Sequence, residues 1–576
     1  MKNLKNYISY FALLCATLGY SQILFTESSI SQGINVSHGS TNFMGGLAFF
    51  DFDGDGWDDL TYASEDGEPV YFFKNNNGTF NPIAINFTDY QTDTRQINWV
   101  DIDNDGDNDL FIVSNNASNR LYENDGSMNF SDITASSGIS MNVMSSWGAA
   151  WGDYNNDGYL DLFLSNRDFP DALSANLLYK NNGNNTFTDV SVSAGIDTNN
   201  HYSFCASFFD FNNDGWQDIY MANDRITTEN ILYKNNGNGT FSDVSVTSGT
   251  NIAMDAMSTT IDDYDYDGDL DIYVTNTSAG NYFLRNNGDE TFTNIAPTNG
   301  TAFYSIGWGA VFLDADNDGD QDLYVSGSQD GSLGDLPSAF YENNGLGIFN
   351  IPTNAGFAND VAVSYSNAIG DINNDGYPDM TVINKEPIDN FLWTNSCNTS
   401  NNYNWLKITL EGTMSNKMGI GSWIEIQVAG NKQYRYTLLG EGYISQNSGA
   451  EFIGLKSNTI VDYVKVKWLS GIEDIIYNVN ANQTVHFEEG STLSANEFYR
   501  NEILVYPNPN NGIFQIKFSN EDNHDLEIYN IHGVKVFDQP NYRSSEIINI
   551  SNLSKGVYFL KANNSDNQFI QKIILH

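Results

Sequence analysis

The chain has 576 residues, of which 73 are acidic and 25 basic, for a formal net charge of −48. So acidic a surface repels phosphate backbones, which excludes nucleic acid as a partner. Three cysteines are too few for a disulfide-built scaffold, and the length leaves room for several domains.

Residues 1–21 read as a signal peptide. Lys2 and Lys5 precede an apolar run through Phe11-Ala12-Leu13-Leu14, and Gly19 and Ser21 offer the small side chains a signal peptidase reads, with cleavage before Gln22. Cys15 raises the alternative of a lipid anchor, but Leu14 before it is too large for a good lipobox. No later stretch is apolar and long enough to span a bilayer, so no transmembrane segment is expected in the mature chain.

Over residues 22–398 one acidic loop, D-x-[DN]-x-D-G-x-x-D, recurs seven times. Its first positions are Asp51, Asp101, Asp153, Asp210, Asp263, Asp314 and Asp371, in steps of 50, 52, 57, 53, 51 and 57 residues. That period is typical of propellers and solenoids. Oxygens at the first, third, fifth and ninth positions can converge on one hard cation, because glycine at the sixth position allows a tight turn around it.

The candidate ligands are Asp51, Asp53, Asp55 and Asp59; Asp101, Asp103, Asp105 and Asp109; Asp153, Asn155, Asp157 and Asp161; Asp210, Asn212, Asp214 and Asp218; Asp263, Asp265, Asp267 and Asp271; Asp314, Asp316, Asp318 and Asp322; and Asp371, Asn373, Asp375 and Asp379. In the first loop Gly56 makes the bend and the Trp57 carbonyl adds a fifth oxygen. An all-oxygen set suits Ca2+ better than Zn2+, which prefers nitrogen or sulfur, or Mg2+, which keeps more water. About seven calcium sites are expected, weaker where Asn155, Asn212 or Asn373 removes a charge. Without the twelfth-position glutamate of an EF-hand, affinities of roughly 10⁻⁴ to 10⁻³ M follow. Asp, Asn and Gly also favour turns that hold no metal. Seven copies in one ligand register, each followed by an apolar run such as Leu110-Phe111-Ile112-Val113, point to metal instead.

Each loop lies between two strand-like runs, as in Ala149-Ala150-Trp151-Gly152 and residues 160–164. A third strand follows, Leu177-Leu178-Tyr179-Lys180-Asn181-Asn182-Gly183 in the third repeat, and then a fourth, predicted over 187–192, 241–246 and 130–133. Four short strands per period make a propeller blade. Small residues at Gly46, Ala48, Gly148, Ala150, Ser207, Gly309 and Ala368 suit strands crowded near an axis. The seventh repeat lacks a fourth strand, and residues 23–28 resemble one, so the mature N-terminus is predicted to close the ring. These repeats resemble the FG-GAP/VCBS family, which implies a calcium-bearing seven-bladed propeller.

Residues 402–489 lose the acidic loop and become β-rich. Asn404-Trp405-Leu406, Ser415-Asn416-Lys417-Met418-Gly419-Ile420-Gly421, Gly442-Tyr443-Ile444-Ser445-Gln446, Phe452-Ile453-Gly454-Leu455 and Val466-Lys467-Trp468-Leu469-Ser470-Gly471 resemble the ASPIC/UnbV domain, a combination also similar to the cartilage acidic protein group. A linker is placed at 490–501. From 502 to 576, Val505-Tyr506-Pro507-Asn508-Pro509-Asn510-Asn511-Gly512, Ile528-Tyr529-Asn530 and Leu553-Ser554-Lys555-Gly556-Val557-Tyr558 resemble a type A sorting domain of the type IX secretion system. That resemblance implies the type IX secretion machinery as a partner and export across the outer membrane to the extracellular space or cell surface. The expected fold is thus all-β: a seven-bladed calcium-binding propeller, a β-rich ASPIC/UnbV domain and a small C-terminal β-sandwich. Cys205 and Cys397 could pair only if the fold joins them; buried free thiols are the preferred reading.

Six residues before each loop stand Gly45, Arg95, Trp147, Phe204, Met257, Trp308 and Tyr365, where the chain enters each first strand. Aromatics and a cation there could stack on sugars or grip an acidic group, although such residues also serve interblade packing. The candidate ligand face is Arg95, Trp147, His201, Phe204, Trp308 and Tyr365. No catalytic residue is assigned, since no H-E-x-x-H, G-x-S-x-G or P-loop pattern occurs and the aspartates are already spoken for by metal. The expected function is a calcium-stabilised binding or adhesion protein for glycan or protein ligands. The alternative is an extracellular polysaccharide lyase or hydrolase drawing on His38, Arg95, His201 and Tyr202.

Overall fold

The computed structural model describes residues 23–41, 43, 45–85, 92–167, 174–199, 201–397, 403–493, 503–506, 510–518, 524–531, 533–543, 546–563 and 568–575. The expected signal peptide, residues 494–501 of the expected linker and the Pro507-Asn508-Pro509 motif lie outside them. The described chain is all-β apart from short helical turns, and it divides into two compact units, 1–489 and 490–576.

In the first unit, each acidic loop joins the first and second strands of an antiparallel sheet. The third sheet is representative, with Ser146–Gly152, Asp161–Asn166, Leu177–Asn181 and Phe187–Asp189 in order. Gly152 pairs with Asp161, so the loop's ninth position opens the second strand. Both of these strands are buried along their whole length because neighbouring sheets cover both faces, which explains their continuous apolar runs. Among the described residues there are seven such sheets. Their first strands, Leu47–Phe50, Thr94–Val100, Ser146–Gly152, Ser203–Phe209, Thr259–Asp262, Gly307–Leu313 and Ser364–Gly370, neighbour one another in chain order. The last meets the first, so the sheets stand around a common axis. The chain's start supplies the missing strand: Phe25–Glu27 pairs antiparallel with Phe391–Asn395, Thr26 opposite Thr394.

The fourth strands are shorter than predicted. Phe187–Asp189 ends where the Asp189 carboxylate accepts hydrogen bonds from the Ser191 backbone N–H at 3.0 Å and hydroxyl at 2.6 Å. This local side-chain turn competes with strand pairing. It starts a helical turn, Ser191–Ala194, that Gly195 closes with φ 82°, and it leaves Val192 80% exposed rather than paired.

The ASPIC/UnbV-like segment is not a separate body. Its two sheets, Glu451–Lys456, Asn404–Glu411 and Gln483–Glu488 against Asn431–Tyr436, Trp423–Val428, Ile460–Lys467 and Glu473–Asn480, enclose Leu406, Ile408, Ile424, Ile453, Val464 and Trp468. The segment packs on the acidic-loop side of the ring. The Lys417 N–H donates to Asn104 Oδ1 at 2.8 Å, and the Lys407 ammonium lies 3.3 Å from Asp371 and 2.7 Å from Asn374. Residues 437–450 then enter the axis. Ser445–Gln446 adds to the first sheet in parallel, Gln446 exchanges two hydrogen bonds with the Trp99 backbone, and Gly442 bonds Thr259. Gly46 is required here, since a Cβ would sit 1.7 Å from the Ile444 carbonyl oxygen. Tyr443 is fully buried at the far end of the insertion, and its hydroxyl donates to the Phe43 carbonyl at 2.8 Å.

The second unit stacks Ile503–Tyr506, Ile513–Phe518 and Ile547–Asn549 against Lys535–Tyr542, His524–Asn530, Gly556–Asn563 and Gln568–Leu575. Phe514, Ile516, Ile528, Tyr542 and Leu560 fill its core.

Candidate metal loops and the mouth of the ring

Five of the seven loops share one hydrogen-bond scheme, while the second wraps its turn through the Asn104 N–H and the fifth leaves Asp271 Oδ2 without a partner. In the third, the first-position Asp153 accepts from the N–H groups of Asp157 and Gly158 at 3.0 and 2.8 Å, which wraps the turn around its carboxylate. The ninth-position Asp161 accepts from Tyr154 N–H at 3.2 Å and from Asn181 N–H in the third strand at 2.7 Å. In every sheet this third-strand asparagine (Asn75, Asn124, Asn181, Asn235, Asn286, Asn343, Asn395) donates its N–H to the ninth-position aspartate at 2.7–2.8 Å. Five of them also reach the preceding sheet's loop: Asn75 bonds the Ile372 carbonyl, Asn181 Ile102, Asn235 Tyr154, Asn286 Phe211 and Asn395 Ala315. The asparagines thus tie neighbouring sheets together at their loops. The sequence pattern showed them only as part of a strand signature.

Three carboxylates approach within 4.8 Å of one another in four loops: Asp51, Asp53 and Asp59; Asp101, Asp103 and Asp109; Asp263, Asp265 and Asp271; Asp314, Asp316 and Asp318. These are the four loops with Asp at the third position. The other three carry Asn155, Asn212 and Asn373 there. Burial, reinforced by neighbouring carboxylates, pushes Asp59 and Asp109 up to about 8 and Asp161, Asp218, Asp271, Asp322 and Asp379 well above the usual carboxylate range. At the first position burial pushes Asp101 and Asp210 up to about 6, Asp153 to about 7 and Asp263 to about 8. Asp53 Oδ1 and Asp271 Oδ2 are buried without a hydrogen-bond partner. Crowded, buried, under-satisfied oxygens are a donor set that a hard divalent cation fits, and calcium would supply the missing positive charge.

At the opposite end of the axis the predicted ligand-face residues gather around the tip of the insertion. Trp147 and Phe204 lie 4.9 Å apart, Trp308 and Tyr365 4.9 Å, and Trp308 and Tyr443 5.0 Å, while the Arg95 guanidinium stands 4.1 Å over the Trp147 ring. All five predicted residues in this cluster are buried, because Tyr443 fills the axis that the sequence pattern left open. Phe204, Trp308 and Tyr365 still border a pocket of about 470 Å3 at the mouth, with Phe43, Asp224, Arg225, Asp255, Thr277, Ser328 and Lys385. Arg95 and Trp147 do not border it, Arg95 being paired with Asp93 at 2.5 Å. His201 also stands outside, its ring 2.9 Å from Asp197. His38 is buried among these residues, and burial beside Arg95 lowers it to about 3, so its ring is neutral. Cys205 and Cys397 are separate buried thiols.

Arg167, Asp224 and Lys385 escaped the sequence reading, yet they share one position, directly after the second strands Asp161–Asn166, Asp218–Asn223 and Asp379–Asn384. Their N–H groups donate to Ser145, Tyr202 and Val363 in the connections entering the first strands. Aligning the repeats at the end of the second strand would have found them.

Residues 51–112, 101–164, 210–274 and 263–325 match the FG-GAP-like repeat, residues 412–494 the ASPIC and UnbV family, and residues 504–576 the secretion system C-terminal sorting domain. Cartilage acidic protein 1 of Mus musculus is 27% identical over 224 residues, 37% of this chain and 33% of the relative, so the match spans about a third of that protein. Among solved structures, the extracellular domain of a hybrid two component system from B. thetaiotaomicron aligns with 96% of this chain and 73% of its own at a TM-score of 0.39 and 14% identity. The Dos1 propeller aligns with 62% of this chain and 95% of its own at a TM-score of 0.36 and 10% identity. The sorting domain marks the chain for type IX secretion to the extracellular space or cell surface, and no helix among the described residues is long and apolar enough to cross a membrane. The chain therefore unites FG-GAP-like repeats, an ASPIC and UnbV domain and a secretion sorting domain, and part of it is similar to cartilage acidic protein 1.

Proposed function

We propose that the protein is a seven-bladed, calcium-stabilised propeller that binds glycan or protein ligands at the cell surface through the mouth of the ring. The observation that carries this reading is the mouth pocket of about 470 Å3, which lies within the ~300–1,000 Å3 range of small-molecule sites and combines aromatic walls with converging polar groups. Calcium in the acidic loops is a stabilising element in this reading. It sits at the end of the axis covered by the ASPIC segment, which leaves the mouth to the ligand.

Screening the purified protein on a glycan array, alongside a panel of polysaccharides assayed for degradation products, tests the proposal. Binding without products is expected, and Ser328→Trp, which fills the pocket, should abolish it. Product formation would favour a carbohydrate-active enzyme on the same scaffold. Binding indifferent to Ser328→Trp would move the site elsewhere.

A further inference from the structure

The third-strand asparagines tie neighbouring sheets in the same way throughout, but the residue before each of them varies in charge. It is a cation in four sheets, as Lys74, Lys180, Lys234 and Arg285, and a carboxylate in the second and sixth, as Glu123 and Glu342. This position stands over the acidic loop of its own sheet. The Lys74 ammonium contacts Asp53 and lies 3.0 Å from Asp55, and the Lys180 ammonium lies 3.1 Å from Asp157. Lys234 departs from the pattern by turning to Glu290 of the next sheet. Burial and the nearby Asp316 carboxylate raise Glu342, so it too faces its loop. Beside the second loop, Asn185 of the next sheet stands near Asp103, donates to Glu123 at 2.9 Å and keeps its own amide oxygen buried without a partner.

A lysine that neutralises loop carboxylates must be displaced before a cation can use those oxygens, whereas a glutamate adds an oxygen and a charge to the donor set. Calcium affinity rises with that charge. The second and sixth loops also keep aspartate at the third position, at Asp103 and Asp316, while the third loop combines Lys180 with Asn155. Cations of the ASPIC segment approach the same two loops: Lys417 passes Gly106 while pairing with Glu411 at 2.6 Å, and Lys456 lies near Asp318. The decisive comparison is therefore within one loop, before and after a single substitution that leaves these cations in place.

We propose that the residue before the tying asparagine grades the loops, so that the second and sixth are the tight calcium sites and the first and third are held weak by their own lysines. This inference rests on calcium in the acidic loops. Titrating the calcium-depleted full-length protein with calcium against a chromophoric chelator tests it. Two ions should bind about tenfold or more tightly than the rest. Glu342→Gln should move one ion from the tight class to the weak, with the melting temperature in saturating calcium unchanged. Lys74→Gln should tighten one weak ion by about three- to tenfold, a gain that misfolding cannot produce. A single class of sites, a tight class of unchanged size in Glu342→Gln, or a first loop indifferent to Lys74→Gln would overturn the grading and leave the loops as calcium sites. A chain that binds no calcium would overturn the metal reading itself.

Discussion

The two ends of the ring are built on opposite plans. At the acidic-loop end the same turn recurs seven times with the same asparagine tie, and the ASPIC segment covers it. At the mouth the connections entering the first strands carry differing side chains, among them Arg95, Trp147, Phe204, Trp308 and Tyr365. Repetition serves closure, because each sheet can bury its faces only against an identical neighbour. The irregular end is freed from that constraint and can carry recognition.

Removing calcium should separate the two ends most sharply. Occupied sites of roughly 10⁻⁴ to 10⁻³ M affinity at millimolar calcium each stabilise the fold modestly, and summed over seven they raise the melting temperature by about 5–15 °C. Scanning fluorimetry with and without chelator checks this. A chelator-insensitive melt would show that the acidic end holds together without metal.

The next largest effect belongs to the insertion. Tyr443→Ala deletes a fully buried ring between Phe204 and Trp308 and should cost about 3–5 kcal/mol in chemical denaturation, without changing calcium content. A loss of bound calcium in that variant would mean that the two ends are coupled rather than independent.

A smaller change probes the tie between neighbouring sheets. Asn235→Ala removes side-chain bonds to the Tyr154 and Gln217 carbonyls at 2.7 and 2.9 Å, leaving buried acceptors unpaired at a cost of about 1–3 kcal/mol. Asn236→Ala, at an exposed neighbour, should cost less than about 0.5 kcal/mol. Equal effects of the two variants would remove the asparagine from the closure mechanism.

A pH scan in chelator probes the same acidic loops. In chelator, Asp59 and Asp109 have folded-state values raised to about 8, so the folded chain holds protons that the unfolded chain has released. Stability is then greatest below the unfolded carboxylate value near 4 and falls as pH rises toward 8. Calcium should flatten that fall, because it replaces the protons. Melting curves from pH 5 to 8 with and without calcium would show the two slopes, and parallel slopes would count against metal in the loops.

Much of this was legible in sequence because a repeat reports its own structure. The seven loops and the strands around them keep one register, and the lone strand at Phe25–Glu27 supplies what the seventh repeat lacks. The insertion was not legible. Gly442-Tyr443-Ile444 carries no periodicity, and its burial depends on contacts with distant strands such as Leu47–Phe50 and Thr259–Asp262. For the same reason the aromatic set at the mouth was recognised while the filling of the axis by Tyr443 was not. Asp189 shortened its strand through a local hydrogen bond that an apolar pattern does not register.

Elemental analysis of the full-length protein after equilibrium dialysis against millimolar calcium tests the metal assignment most directly. Seven calcium ions per chain are expected, falling to six in Asp161→Asn with the other sites intact. A wild-type chain that retains no calcium, or an Asp161→Asn variant that retains the same number as the wild type, would contradict a ring pinned by calcium at its acidic loops.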